Sequence, residues 1–285
     1  MLKIQKDKLY LVTGGTGYLG DSLINYIIKN GGLVRVLSRN DGKLLALKEK
    51  YPSIEIYTGN VSDVFAVKES LIGVNAVFHL AAFKHVGLAE AQSRECIKTN
   101  TIGSFILYEE SLSHNLDFIL SISTDKAAQI AGVYGASKFL MEKLCHQYEK
   151  VNPSCAYRLV RYGNVLYSTG SVLCKWKYLI ESGKKVIVTE PSATRFFWTV
   201  DQAIQLIEDC MINATDSAPY CPSMKSMKIK DLLQAMIEKY SNGQKIEIET
   251  IGLQPGENMH ERVLEEGPYS NEVDYFTIDE IKQLI

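Results

Sequence analysis

An α/β fold built on a doubly wound parallel sheet is predicted for this 285-residue chain by three observations. Short apolar runs alternate with helically spaced stretches, a glycine-rich turn closes the first run, and the rhythm breaks beyond about residue 165, where a smaller C-terminal part begins. The first run is KLYLVTGG, rich in β-branched and apolar residues and ended by small ones. YLGDSLINYIIKN follows with helical spacing, then the runs GLVRVLSR, IEIYTG and AVFHLAAF. TIGSFILYEESLSHN again has helical spacing, and DFILSIST is a fifth strand. Strands separated by helices pair in parallel and need helices on both faces of the sheet. Later segments carry turn signals, NPS, STG, ESGKK and QPGEN, and give no regular alternation.

Composition limits what such a fold can do. Hydrophobic content of 46% with 22% charge is that of a folded globular protein, and a net charge of -2 leaves no basic footprint for nucleic acid or an anionic membrane. Any anionic ligand must therefore be held by local groups. The six cysteines are scattered without CxxC pairs or histidines at metal spacing, so they read as reduced thiols, and no metal site is expected. MLKIQKDKLYLVTGG enters a strand directly, without an apolar signal core, and no apolar run approaches membrane-spanning length. A cytoplasmic protein is expected.

The glycine turn LVTGGTGYLG is the first functional signal. Gly14, Gly17 and Gly20 fit TGxxGxxG, and Gly15, Gly17 and Gly20 fit GxGxxG. Backbone must pass close to a pyrophosphate there, and a helix must open with free N–H groups aimed at it. Because the motif follows a strand and opens a helix, it predicts a Rossmann-type dinucleotide site with Thr16 and Tyr18 in the same turn. The second strand ends at Ser38 and Arg39, where an NAD site would carry an acid for the ribose. A hydroxyl and a guanidinium suit a 2′-phosphate instead, so NADP is expected rather than NAD, with Asp41 nearby as the opposing feature.

STDKAAQIAGVYGASK follows the fifth strand. Thr124, Asp125 and Lys126 emerge at the strand's carboxyl end, where open parallel sheets bind ligands. Tyr134 and Lys138 share one face of a helix if it begins near Val133. An ammonium beside the phenol, with the positive nicotinamide, would lower the phenol's pKa toward neutrality and make it a base for a sugar hydroxyl.

These residues resemble a known family. TGGTGYLG, YGASK and RYGNV are similar to the extended short-chain dehydrogenase/reductases that act on nucleotide sugars. FKHV, ECIKTN, STDKA, RYGNVLYSTGSV, TRFFWTVDQA and LQPGENMHE together resemble the inverting UDP-N-acetylglucosamine 4,6-dehydratases of polysaccharide biosynthesis, across residues 9 to 266. Thr-Asp-Lys is the discriminating element: retaining 4,6-dehydratases carry Thr-Asp-Glu there, and 4-epimerases lack the acid and base pair. The resemblance implies a hydro-lyase in which Tyr134, helped by Lys138 and Thr124, takes the 4-hydroxyl proton as hydride leaves C4. Lys126, neutral through a lowered pKa, would remove the C5 proton. Asp125, protonated, would donate to the departing 6-hydroxyl. Hydride return to C6 and reprotonation of C5 from the opposite face would give the L-configured 4-keto-6-deoxy sugar.

The resemblance also implies cofactor contacts from Asn60, Val61, Ala81, Ala82 and Lys84, with Tyr134 and Lys138 shared between cofactor and chemistry. For the UDP-sugar it implies Lys84, His85, Asn164, Ser171, Arg195 and Glu257. His85 and His260 are expected as hydrogen-bonded neighbours of the site, and Phe196, Phe197 and Trp198 as core. The chain departs from the family at Tyr167-Ser168-Thr169-Gly170-Ser171, which lacks the arginine of Gly-Ser-Arg-Gly-Ser, and at Gln129-Ile130, which replaces Asn-Pro. The expected division is an NADP-binding part over 1–165, with a returning segment at 196–217, and a UDP-sugar part over 166–195 and 218–285. A homo-oligomer is expected. The rival functions are a UDP-sugar 4-epimerase, a retaining dehydratase, and a non-catalytic NADP-binding sensor.

Overall fold

The computed structural model describes residues 2–285. All five expected strands form: β1 (Leu9–Thr13), β2 (Leu33–Ser38), β3 (Glu55–Thr58), β4 (Ala76–His79) and β5 (Phe118–Thr124). Two more, β6 (Ala156–Tyr162) and, further along the chain, Pro219–Tyr220, complete a seven-stranded sheet in which every pairing is parallel. Pro219 and Tyr220 lie past residue 217, so the sheet's edge reaches into the stretch expected to belong to the sugar-binding part.

Between these strands run α1 (Tyr18–Lys29), α2 (Asp41–Lys50), α3 (Val64–Leu71), α4 (Val86–Ala91), α5 (Ser93–Ile97), a π-helical turn (Lys98–Ile102), α6 (Gly103–Ser111) and α7 (Val133–Val151). The chain continues through β7 (Asn164–Val165), α8 (Val172–Glu181), β8 (Val186–Val188), β9 (Thr194–Trp198) and α9 (Val200–Asn213). After the Pro219–Tyr220 strand, β10, come β11 (Ser226–Lys228), α10 (Ile229–Tyr240), β12 (Ile248–Thr250) and α11 (Ile278–Leu284).

Spatially the large sheet runs β10-β6-β5-β4-β1-β2-β3. Chain direction away from β1 therefore reverses between β1 and β4, which opens a crevice at their carboxyl ends. Leu23, Ile24 and Ile27 of α1, Leu44 and Leu47 of α2, and Leu206, Ile207 and Cys210 of α9 fill one face of the sheet. Val67 and Leu71 of α3, Ile106 and Leu107 of α6, and Met141 and Cys145 of α7 fill the other. β9 joins β7 and β11 in a small sheet, and β8 pairs with β12. Leu173, Trp176 and Ile180 of α8 pack with Leu232, Leu233 and Met236 of α10 in a third core beside the crevice.

Candidate active site

The crevice is a cleft of about 1030 Å³, with the glycine turn at one end and the β5–α7 junction in its wall. Gly14 sits at φ 69° and its N–H donates to the Leu37 carbonyl at 2.8 Å; a Cβ there would lie 2.7 Å from the Ala81 Cα. Only glycine lets the exit of β1 pass so close to the exit of β4. Gly17 caps α1 without a side-chain acceptor, so N–H groups of the helix's first turn stay free for an anion. A Cβ on Gly20 would meet the Gly15 oxygen at 2.4 Å, so the helix can start against the turn only as glycine. This cradle fits a dinucleotide pyrophosphate. Thr16 and Ser38 share a 2.7 Å hydroxyl hydrogen bond behind it, and the cleft wall continues through Tyr18, Arg39, Asn60, Val61, Ala81 and Ala82.

At the other side, the helix carrying Tyr134 and Lys138 begins at Val133, so both residues, one turn apart, reach the cleft. Thr124 ends β5, and its hydroxyl donates to Asp125 Oδ1 at 2.8 Å. Lys126 Nζ donates to the same oxygen at 3.1 Å and stands 3.5 Å from Glu261 Oε1. Burial alone would lower the Lys126 pKa, but the Asp125 and Glu261 carboxylates outweigh it and hold the amine above its ordinary value. The expectation of a lowered pKa for Lys126 is therefore corrected: in the protein alone it is an ammonium. The Tyr134 phenol is likewise raised, to about 12, by burial, with the Lys126 charge and the Thr124 hydroxyl pulling it back. Its expected lowering is not a property of the protein alone. Burial depresses Lys138 to about 8, with Glu142 opposing, and its Nζ donates to the Ile122 carbonyl at 2.6 Å.

Of the expected catalytic, cofactor and sugar residues, Asp125 alone does not line the cleft. It is fully buried behind Thr124 and Lys126, and its Oδ2 has no hydrogen-bond partner among the described residues. Lys84, His85, Asn164, Ser171, Arg195 and Glu257 do line it. Burial lowers the pKa of Lys84, and burial with the Lys84 and Lys175 charges lowers that of His85. Arg195 Nη1 is committed to the Thr194 and Met259 carbonyls at 2.8 and 3.0 Å, with Nε 3.9 Å from Glu261 Oε1. Glu257 Oε2 accepts from the Gln254 N–H at 3.0 Å, and Asn164 donates to the Phe196 carbonyl at 3.4 Å. His260 Nδ1 pairs with the Thr194 hydroxyl at 2.8 Å, while Phe196, Phe197 and Trp198 are buried.

Three charged cleft residues escaped sequence reasoning: Lys43, Lys175 and Glu261. Lys175 lies four positions after Ser171, hence on the same side of α8. Glu261 closes the segment LQPGENMHE, in which Glu257 and His260 had drawn attention.

Behind the site, Arg161 is 1% exposed and makes five hydrogen bonds, to Glu142 Oε1 and Oε2, Glu265 Oε1 and Oε2, and the Val263 carbonyl. This clasp ties the stretch after Glu261 to α7 and β6. Asn100, in the π-helical turn, accepts from the Phe83 N–H at 2.7 Å and donates to the Phe83 carbonyl and the Ser137 hydroxyl at 2.9 Å each. One amide thereby fixes the loop of Lys84 against the helix of Tyr134.

The parallel sheet, its glycine cradle and the Tyr134/Lys138 helix define a protein with the extended short-chain dehydrogenase/reductase fold. More closely, the chain belongs to the family described as polysaccharide biosynthesis protein, whose profile matches residues 10–283. It is 37% identical over 278 residues, 94% of this chain and 84% of the other, to a Methanocaldococcus jannaschii protein named as an uncharacterized membrane protein. No helix among the described residues is long and apolar enough to cross a membrane. It is 30% identical to a UDP-N-acetylglucosamine 4,6-dehydratase (inverting) of Campylobacter jejuni, covering 89% of this chain and 76% of that one, and 30% identical to a UDP-glucose 4-epimerase of Rickettsia rickettsii, covering 90% and 78%. Among solved structures, Pen from Bacillus thuringiensis superposes with a TM-score of 0.93 at 28% identity over 99% of this chain and 98% of that one. The dTDP-glucose 4,6-dehydratase DesIV of Streptomyces venezuelae, solved with NAD bound, shares the fold at a TM-score of 0.82 and 17% identity, covering 97% and 95%. Those of these relatives and neighbours whose names give an activity on a nucleotide sugar are dehydratases and an epimerase.

Proposed function

We propose that this chain is an NADP-dependent UDP-N-acetylglucosamine 4,6-dehydratase that inverts C5. The observation that carries the reading is Lys126, an amine on the cleft wall next to Tyr134, with Asp125 directly behind it. A 4-epimerase needs Tyr134 and Lys138 but has no use for an amine and a carboxyl group poised for elimination. Arg39 and Lys43, both on the wall beyond β2, favour a 2′-phosphate and hence NADP over NAD.

The bound nicotinamide supplies a hydride acceptor for C4 and a hydride donor for C6. Tyr134 accepts the 4-hydroxyl proton, with Thr124 steadying the oxygen and Lys138 fixed against the Ile122 carbonyl. Lys126 takes the C5 proton. Asp125, behind the wall with its Oδ1 tied to Thr124 and Lys126, acts on the departing 6-hydroxyl by way of Lys126, whose ammonium, formed by taking the C5 proton, supplies the proton that leaves with the water. Lys84, Lys175 and the first turn of α8 after Ser171 face the UDP diphosphate, and Glu257 the uridine ribose. Residues 1–165 with 196–217 serve the cofactor, and 166–195 with 218–285 the sugar. We further propose a cytoplasmic homo-oligomer; the exposed Phe105 of α6 and Leu140 of α7 support self-association.

The Rickettsia relative supports a second reading, 4-epimerisation. Proton NMR of UDP-N-acetylglucosamine incubated with the protein and NADP in deuterated water separates the two. A C6 methyl group, deuterium at C5 and couplings of the L-arabino 4-ketone are expected. UDP-N-acetylgalactosamine without a methyl group would establish the epimerase, and a D-configured ketone the retaining dehydratase.

A further inference from the structure

Within the dehydratase reading, Lys126 must reach C5 as a neutral amine, yet the resting site holds it as an ammonium between two carboxylates. Its excess proton therefore needs a local acceptor. Asp125 Oδ1 already accepts two hydrogen bonds, from Thr124 and Lys126, its unpartnered Oδ2 makes no hydrogen bond to Lys126, and Asp125 lies off the cleft. Glu261 is differently placed. It lines the cleft, its side chain is 1% exposed, and its Oε1 faces Lys126 Nζ at 3.5 Å and has no hydrogen-bond partner among the described residues. Oε2 lies 3.3 Å from Asn258 Nδ2, and the Glu261 N–H donates to the Ser270 hydroxyl at 2.9 Å, so the backbone at this point is pinned. A buried carboxylate oxygen with a free lone pair next to an ammonium is equipped to take a proton from it.

We propose that Glu261 is the proton partner of Lys126, its carboxylate taking the ammonium proton so that the amine is free to act as base at C5. One N–H bond breaks and one O–H bond forms; the ion pair becomes a neutral pair, and no electrons are transferred. Closure of the cleft over a sugar drives the exchange, because expelling water costs two separated charges far more than two neutral groups. Burial already raises the Glu261 pKa against the opposing Lys126 and Arg195 charges. Glu261 is thus a positioning residue for protons, acting on the sugar through Lys126. Asp125, Lys126 and Arg195 are the charged groups facing it.

Two readouts in deuterated water with UDP-N-acetylglucosamine test this: transient reduced cofactor by absorbance, which reports C4 oxidation, and C5 deuteration by NMR. In Glu261→Gln the oxidation is expected to persist while C5 deuteration falls about 10²–10⁴-fold, the span of a lost acid–base group. Glu261→Asp, which keeps the carboxylate, is expected to restore part of it, and its pH–rate profile is expected to differ from that of the wild type. Unchanged deuteration in Glu261→Gln overturns the inference. So does faster deuteration, which would mean that Glu261 merely holds Lys126 charged, and so does equal loss of both readouts, which would mean a role in assembling the site. Should Glu261→Gln fail to fold, wild-type deuteration in Glu261→Asp at every pH overturns it, and selective loss there supports it. A wild type that reduces its cofactor but forms neither C5 deuterium nor a methyl group ends the dehydratase reading itself, and this inference with it.

Discussion

Arg161 offers the most quantitative test of how the site is held. Its guanidinium is 1% exposed, and Glu142, which takes two of its five hydrogen bonds, is 5% exposed. Arg161→Met keeps most of the stem's volume but strands the Glu142 carboxylate beside the Ser123 hydroxyl. Removing one partner of a buried pair costs about 3–5 kcal/mol, against a total stability of about 5–15 kcal/mol for a domain. Glu265, half exposed, can turn to water and adds little. In urea, with a slope near 3 kcal/mol per molar, the midpoint should fall by about 1 M or more. Arg161→Met/Glu142→Leu should recover most of that loss, because the Glu142 carboxylate is then no longer buried without its guanidinium. A single-variant cost under about 1 kcal/mol, or a double variant no better than the single, would refute the claim that charge pairing is what this clasp contributes.

Replacing Arg39 and Lys43 together with alanine should weaken NADP binding by about tenfold or more, as loss of charge-assisted contacts implies, and leave NAD unchanged; equal NADP affinity by calorimetry would remove both from the 2′-phosphate site. His79 is fully buried between the Thr13 and Ser104 hydroxyls at 2.8 Å, and burial, then the Lys138 charge, lowers its pKa to about 3 from 6.5. Between those values the unfolded chain binds the extra proton, so stability falls as pH falls. Wild type should therefore lose up to about 1.4 kcal/mol per pH unit below 6.5 relative to His79→Gln, and parallel urea midpoints at pH 7 and 5 would refute it.

What could be read beforehand followed from locality. β1, β4 and β5 announce themselves because each is a mainly apolar run buried from both faces, while β2 and the sheet-edge strand β3 show through shorter apolar stretches beside Arg35 and Glu55. β6 did not, because Arg158 and Arg161 break its pattern; the strand is buried nonetheless, since Glu149, Glu142 and Glu265 meet those charges from elsewhere. β10 is two residues long, too short to carry a period. Tyr134 and Lys138 were legible because helical spacing fixes their relation within one turn. Asp125 was expected on the wall beside Lys126, but adjacent residues at a strand's end point in different directions, and one of the two ends up behind. Lys126 was expected to have a lowered pKa because removal of the C5 proton requires a neutral amine. The carboxylate of Glu261, which helps reverse the sign, arrives from a distant part of the chain, and no local pattern could foretell it.

That distance sets a schedule. During synthesis the glycine cradle, β5 and α7 leave the ribosome long before Glu261, and Val263 and Glu265, which complete the clasp on Arg161, emerge 102 and 104 positions after it. A nascent chain can therefore build its sheet and cradle early, whereas the acid–base cluster stays incomplete until the clasp is translated. The chemistry of the cleft is switched on only after its scaffold is in place.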